Sequence, residues 1–137
     1  MKFLSVLTLI SAALAAPASV AVREEAVSDL DLVARQSTSE EGLRLGSTCG
    51  DVVLIFARGS TEIGNMGTII GPDLARALGR RIGSRTLTVQ GVNYAALLST
   101  NYLPGGTDLA SENEMKSMLR LANTKCPNAK IVVSGYR

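Results

Sequence analysis

The sequence predicts an α/β fold built on a parallel sheet, with its elements in the order β-α-β-α-β. Three observations carry this expectation. Val52-Val53-Leu54-Ile55-Phe56-Ala57 is an unbroken apolar run, the pattern of a strand covered on both faces. Two stretches with apolar residues at three- and four-residue spacing come after it, and a short β-branched run follows each. Strands that alternate with helices pair in parallel through right-handed crossovers.

After the first strand, a glycine-rich loop runs from Arg58 to Gly71 and holds Gly59, Gly64 and Gly67. Pro72 suits the first turn of a helix, whose apolar face is Leu74, Ala75, Leu78 and Ile82 and which Gly83 ends. Thr86 to Val92 reads as the second strand. Asn93 to Gly106 is a long loop closed by Pro104-Gly105-Gly106, and Thr107 or Asp108 caps the next helix. Acids Asp108, Glu112 and Glu114 lie near its start and Lys116, Arg120 and Lys125 toward its end, which complements the helix dipole. Its buried stripe is Met115, Met118, Leu119 and Ala122; Pro127-Asn128 then turns the chain into a third strand, Lys130 to Ser134.

The beginning of the chain reads differently. Lys2 precedes an apolar run from Phe3 to Ala16, and Ala13-Leu14-Ala15 supplies the small-x-small pattern of a signal-peptidase site. The run falls short of the roughly 20 apolar residues that span a bilayer, so residues 1–16 are expected to be a cleaved export signal and not a membrane span. Residues 17–47 are polar and weakly patterned and are expected to form a pro-segment or flexible leader, with Val33-Ala34-Arg35-Gln36 as a processing site and the folded part beginning near Cys49. An exported, extracellular protein follows. Two cysteines, Cys49 and Cys126, in such a chain point to one disulfide, worth about 4 kcal/mol on the loop-entropy model; two free buried thiols are the alternative.

The formal net charge is +2, with basic residues scattered apart from Arg80-Arg81 and Arg85. No aromatic residues interleave with that cluster, so it reads as a solvated helix end, and nucleic acid is not an expected partner. The ending is the most informative local feature. Ile131-Val132-Val133-Ser134-Gly135-Tyr136 is how a strand leads into the G-x-S-x-G turn of a hydrolase serine, but Arg137 stands at the serine's position, and the chain contains no histidine.

Three stretches together resemble the cutinase family of secreted fungal esterases, which cleave plant cuticle polyester. They are Phe56-Ala57-Arg58-Gly59-Ser60-Thr61-Glu62-Ile63-Gly64-Asn65-Met66-Gly67, then Asn93-Tyr94-Ala95-Ala96 through Asn101-Tyr102-Leu103-Pro104-Gly105-Gly106-Thr107, and Asn123-Thr124-Lys125-Cys126-Pro127 running into Gly135-Tyr136. The resemblance implies a three-layer α/β-hydrolase fold, of which residues 48–137 supply the first, β-α-β-α-β half. It implies that Ser60 lies in an oxyanion hole, that Asn101 steadies the Ser60 side chain, and that Leu98 is an apolar lip touching the acyl chain. Cys49 and Cys126 match the family's disulfide pair. Arg58, Glu62 and Asn65 are read as residues that order the loop.

The family chemistry needs no cofactor or metal: a serine deprotonated by histidine attacks the ester, and water hydrolyses the acyl-enzyme. With Arg137 at the nucleophile's position and no histidine to make Ser134 a substitute, the 137 residues are expected to be inactive on cutin and on short-chain esters. The third strand is expected at an unpaired sheet edge, which lowers solubility, and a folded chain is expected to be monomeric. Acetyl xylan esterases share the fold and chemistry, but the Ala-Arg-Gly-Ser-Thr-Glu loop and the Leu-Pro-Gly-Gly segment favour the cutinase side. A second reading is a non-catalytic secreted protein that binds surfaces through Leu98, Tyr102 and Leu103. A third, the phosphate loop of flavodoxin-like flavin binders at Gly59 to Asn65, conflicts with the export signal, the cysteine pair and the non-acidic charge.

Overall fold

A computed structural model describes residues 38–136, so the expected signal at 1–16, most of the leader and Arg137 lie outside the described residues. The elements are β1 (Val52–Ala57), α1 (Gly71–Arg81), β2 (Leu87–Gly91), a 3-10 helix (Leu98–Tyr102), α2 (Leu109–Lys125) and β3 (Lys130–Gly135). The three strands form one parallel sheet in the order β2-β1-β3, with Val52 opposite both Leu87 and Lys130.

The apolar run predicts the placement of β1. Val53, Leu54, Ile55 and Phe56 have no exposed surface. Val53 and Ile55 join Met118, Ala122 and Cys126 of the α2 side in one cluster, and Phe56 on the opposite pleat lies against the start of α1 at Gly71. A strand hydrogen-bonded on both sides and covered on both faces has no freedom left, so its C-terminal end is a fixed point. By contrast β3 pairs only with β1 among the described residues, and Ile131, Val132 and Val133 are exposed.

The helices start where the sequence places them. Pro72 occupies the first turn of α1, and Ile82 closes it by donating its N–H to the Leu78 carbonyl. Of the two candidate caps for α2, Asp108 does the work: its carboxylate accepts the Ser111 N–H at 2.9 Å and the Ser111 hydroxyl at 2.7 Å. Met118 and Ala122 of the expected stripe are buried, and Met115 and Leu119 pack partly against them. The apolar face of α1 is only half-buried along Leu74, Ala75, Leu78 and Ile82. Cys49 and Cys126 are joined in a disulfide, with their Cα atoms 5.6 Å apart, at the end of the sheet where β1 begins.

The upstream boundary is corrected. Residues 38–47 are expected to be part of a loose leader, yet Thr38 to Gly46 lies packed along the outer edge of β2. Gly42 donates its N–H to the Val89 carbonyl at 2.9 Å, and Glu40 accepts the Gly91 N–H at 2.8 Å. The Gln90 side-chain oxygen takes the N–H groups of Leu43 and Arg44 at 3.2 and 2.9 Å. Lys125 at the end of α2 donates to the carbonyls of Leu43 and Gly46 at 2.7 and 2.6 Å. The segment is held mostly through its own main-chain groups, and these leave no trace in a hydropathy pattern. Its one apolar anchor is Leu43, 1% exposed in the core. The arrangement also covers what would be an open strand edge.

Replacing Leu43 with Ala is therefore expected to cost about 2–5 kcal/mol in urea unfolding, the range for emptying a buried leucine site. The neighbouring Leu45, 81% exposed, is the control, and Leu45→Ala should move the midpoint little.

Candidate active site

The candidate site is built where β1 ends. The first residue out of the strand is Arg58, a buried charge at 9% exposure, and such a charge needs partners for its donors. It finds them across the chain. Its Nε donates to the Glu62 carbonyl at 2.8 Å and its Nη2 to the Tyr94 carbonyl at 2.8 Å. The guanidinium lies 5.1 Å from the centre of the Tyr94 ring, and the Tyr94 hydroxyl donates to the Arg58 carbonyl in return. Burial pushes the Tyr94 phenol above its ordinary value of 10.0, and the Arg58 charge offsets this only in part. The phenol therefore keeps its proton, and this bond, across the physiological range.

Glu62 provides the second clamp. Its carboxylate accepts N–H groups from Gly59 at 2.6 Å, Thr68 at 2.8 Å and Ile69 at 2.9 Å, drawing both ends of the loop onto one point. A side chain at Gly67, whose φ is +74°, would meet a Glu62 carboxylate oxygen at 2.4 Å, so this position must be glycine. Burial raises the Glu62 carboxyl, and the N–H donors of Thr68, Gly59 and Ile69 together outweigh it, leaving the group below its ordinary value of 4.5.

Between these clamps sits Ser60. Asn101, in the 3-10 helix, donates its side-chain Nδ2 to Ser60 Oγ at 3.0 Å. With a lone pair of the hydroxyl so occupied, its proton is left for another acceptor. No acceptor among the described residues takes the Ser60 backbone N–H. The next residue, Thr61, has φ +67° and donates its N–H at 2.9 Å to the carbonyl of Ala96, itself at φ +50°. Two non-glycine residues in the left-handed region, costing of order 1 kcal/mol each, are thus tied directly to each other beside the site.

Ser60 and Asn101 form part of the wall of a cavity of about 410 Å³, with Ala57, Val92, Met115 and Tyr136. Tyr136, just past β3, donates its N–H to the Ala57 carbonyl at 2.9 Å, and its ring lies where a side chain on Gly59 would be, 2.8 Å from that absent Cβ. The ends of β1 and β3 therefore meet at one hollow. Leu98 does not line it. Leu98 is 57% exposed, one turn of the 3-10 helix from Asn101, and residues three apart in such a helix share a face. Leu97, Tyr102 and Leu103 are exposed alongside it.

Arg58, Glu62 and Asn65 order the loop, as expected from the sequence. The buried amide of Asn65 accepts the Glu40 N–H at 2.8 Å and donates to Glu41 at 2.8 Å, fastening the loop to the upstream segment. Sequence reasoning missed Glu41, which also accepts from Gln90 and Asn93, and the structural part of Tyr94. Among the described residues, no grouping of His, Cys, Asp and Glu could hold a metal ion, and no helix is long and apolar enough to cross a membrane.

The sign of the pH effect follows from Glu62. A carboxyl lowered on folding contributes stability above its unfolded value, about 4.5, and that stability is lost as the pH falls through the lower folded value. Thermal stability of the chain is expected to fall on acidification below about pH 4.5, and Glu62→Gln, which has no proton to gain, should show a flatter profile over the same range.

The comparisons agree with this geometry. The family model described as Cutinase matches residues 48–137. A cutinase of Colletotrichum truncatum is 46% identical over 142 residues, covering 99% of this chain and 61% of the relative. Probable cutinase 1 of Aspergillus niger is 53% identical over 112 residues, covering 77% of this chain and 42% of the relative. The chain thus spans between about two fifths and three fifths of the length of these two relatives. A solved structure of Trichoderma reesei cutinase in complex with a C11Y4 phosphonate inhibitor superposes with a TM-score of 0.63 at 34% identity, covering 82% of this chain and 47% of that one. The partial α/β-hydrolase sheet, the match over residues 48–137 and these relatives lead to one conclusion: the chain belongs to the cutinase family.

Proposed function

We propose that this chain carries the charge-stabilising half of a cutinase-type serine esterase, with Ser60 in the oxyanion hole and Asn101 as the residue that positions it. The observation that carries the reading is the 3.0 Å bond from Asn101 to Ser60 Oγ in the wall of a largely apolar hollow at the end of β1. In acyl transfer the ester carbonyl oxygen gains negative charge as the serine attacks. Donors already fixed in place stabilise that charge without reorganising, each worth about 3 kcal/mol. The Ser60 N–H and hydroxyl are such donors, on a turn that Arg58 and Glu62 immobilise. A phosphonate, the inhibitor class in the Trichoderma reesei neighbour, presents a tetrahedral oxyanion of the same kind.

Apolar walls suit the acyl part of an ester, and Leu98 would touch that chain from the rim. Cutin and short-chain esters are the proposed substrates, ahead of xylan acetate. The exposed Leu97, Leu98, Tyr102 and Leu103 favour a further contribution, docking of the rim on an apolar polyester, which could operate without turnover. Residues 1–16 would direct export and residues 17–37 would form a leader, giving an extracellular monomer that uses no metal or cofactor.

The 137 residues include no histidine to deprotonate a nucleophile, and arginine stands at position 137. Assayed alone, they are expected to leave p-nitrophenyl butyrate at its uncatalysed rate; turnover lost in Ser60→Ala would show another mechanism. The direct test is a chimera that joins this chain, with Arg137→Ser, to the remaining C-terminal part of the Colletotrichum truncatum relative. It should hydrolyse p-nitrophenyl butyrate, and Ser60→Ala in the chimera should lower kcat about 100- to 1,000-fold. A folded chimera whose kcat ignores Ser60 would overturn the assignment.

A further inference from the structure

Charge in this fold is divided between the two ends of the sheet. In a parallel β-α-β arrangement every helix begins near the strands' C-terminal ends and returns to their N-terminal ends. The end that holds Ser60 also holds Glu62, Asp73 in the first turn of α1, and Asp108 and Glu112 at the start of α2. Of the cations there, Arg58 is buried against carbonyls and the Tyr94 ring, and the exposed pair are neutralised, Arg76 by Asp73 and Lys116 by Glu112. At the opposite end the situation is reversed. Arg80 and Arg81 close α1, Arg85 leads into β2, and Lys130 opens β3 directly across from Val52. All four are exposed, and none forms an ion pair among the described residues.

The carboxylate among them is Asp51. It accepts the Thr86 N–H and hydroxyl at 2.7 and 2.9 Å and also feels the Arg85 charge, and Lys130 is drawn alongside by its N–H to the Asp51 carbonyl at 2.9 Å. Favourable interaction with a helix C-terminus accounts for Arg80 and Arg81. Asp51 accounts in part for Arg85, but Lys130 lies outside any helix, and one carboxylate that Thr86 also engages does not balance four cations.

We propose that this basic end is a docking surface for an anionic polysaccharide of the polyuronate class, held by Arg80, Arg81, Arg85 and Lys130. The planar guanidinium fork matches a carboxylate in two parallel hydrogen bonds, and a polyuronate offers carboxylates in a repeating row. Nucleic acid fits less well. Phosphate is favoured by helix N-termini and backbone N–H groups, and this end presents helix C-termini. Bases are held by aromatic stacking, whereas the described tyrosines, Tyr94, Tyr102 and Tyr136, belong to the loops at the other end. Docking by the basic end leaves the hollow beside Ser60 facing away from the polymer and open to an ester. The inference stands on charge and topology alone and does not depend on turnover.

Retention of the full 137-residue chain on de-esterified polygalacturonate, measured at low ionic strength and on raising the salt, tests it. The chain should bind, release as salt screens the contacts, and ignore fully methyl-esterified polygalacturonate, which has the same backbone without the charge. The triple variant Arg80→Gln/Arg81→Gln/Arg85→Gln should bind about tenfold more weakly, the combined effect of three exposed ion pairs. The pair Arg85→Glu/Lys130→Glu, made in case the triple variant fails to fold, should weaken binding at least as much. Arg76→Gln/Lys116→Gln, at the other end, should bind as the parent does. Equal binding of the methyl-esterified polymer, unchanged affinity in folded variants of the basic end, or tighter binding to duplex DNA or phosphatidylserine vesicles would each overturn the proposal.

Discussion

The constraint on which the structure depends is the double enclosure of β1. It is the middle strand of the described sheet, and its four central side chains are wholly removed from solvent. Displacing it by even a fraction of a residue would break two ladders and open two cores, because interiors at crystal-like density do not deform gradually. The residues that leave it inherit this immobility. Arg58 and Glu62 then extend it by about a turn, one through donors reaching out to carbonyls and the other through a carboxylate gathering N–H groups. The two clamps are complementary in sign and both close on the segment that contains Ser60. Preorganisation here is a chain of causes that begins with an apolar hexamer.

Much of this was legible in the sequence, for reasons that differ by element. The strands and α2 follow from periodicity, which is a local property and survives without knowledge of the fold. The cap at Asp108 was one of two adjacent candidates, and only the reach of its carboxylate to Ser111 decides between them. The extension of the packed unit to Thr38 was not legible. Its anchor is one leucine in a polar stretch, and its bonds run largely from its own main-chain groups to distant partners, among them the side chains of Gln90, Lys125 and Asn65, between 25 and 82 positions away.

The candidate site divides in the same way. Ser60, taken alone, is a polar residue after a strand; only the likeness of three separated stretches to a family marks it. The structure then brings it to Asn101, 41 positions on, at hydrogen-bonding distance. The partnership of Arg58 with Tyr94, 36 positions apart, could not have been inferred from either residue. A buried arginine demands acceptors, but the sequence does not say which carbonyls will come near. Leu98 is the instructive intermediate case. It lies outside the wall of the hollow, yet the three-residue repeat of its helix aligns it with Asn101, so its association with the site is one of shared face and not of contact.

The contact of Tyr136 with Gly59 has a consequence for how this architecture can vary. The separation of the two strand ends is fixed by a missing atom: the ring occupies the volume a methyl group would need. Even alanine at position 59 would press on both the ring and the Glu62 carboxylate. A larger residue on one lip therefore forces the other to give way, so a side chain at position 59 would require the ring of Tyr136 or the Glu62 carboxylate to move.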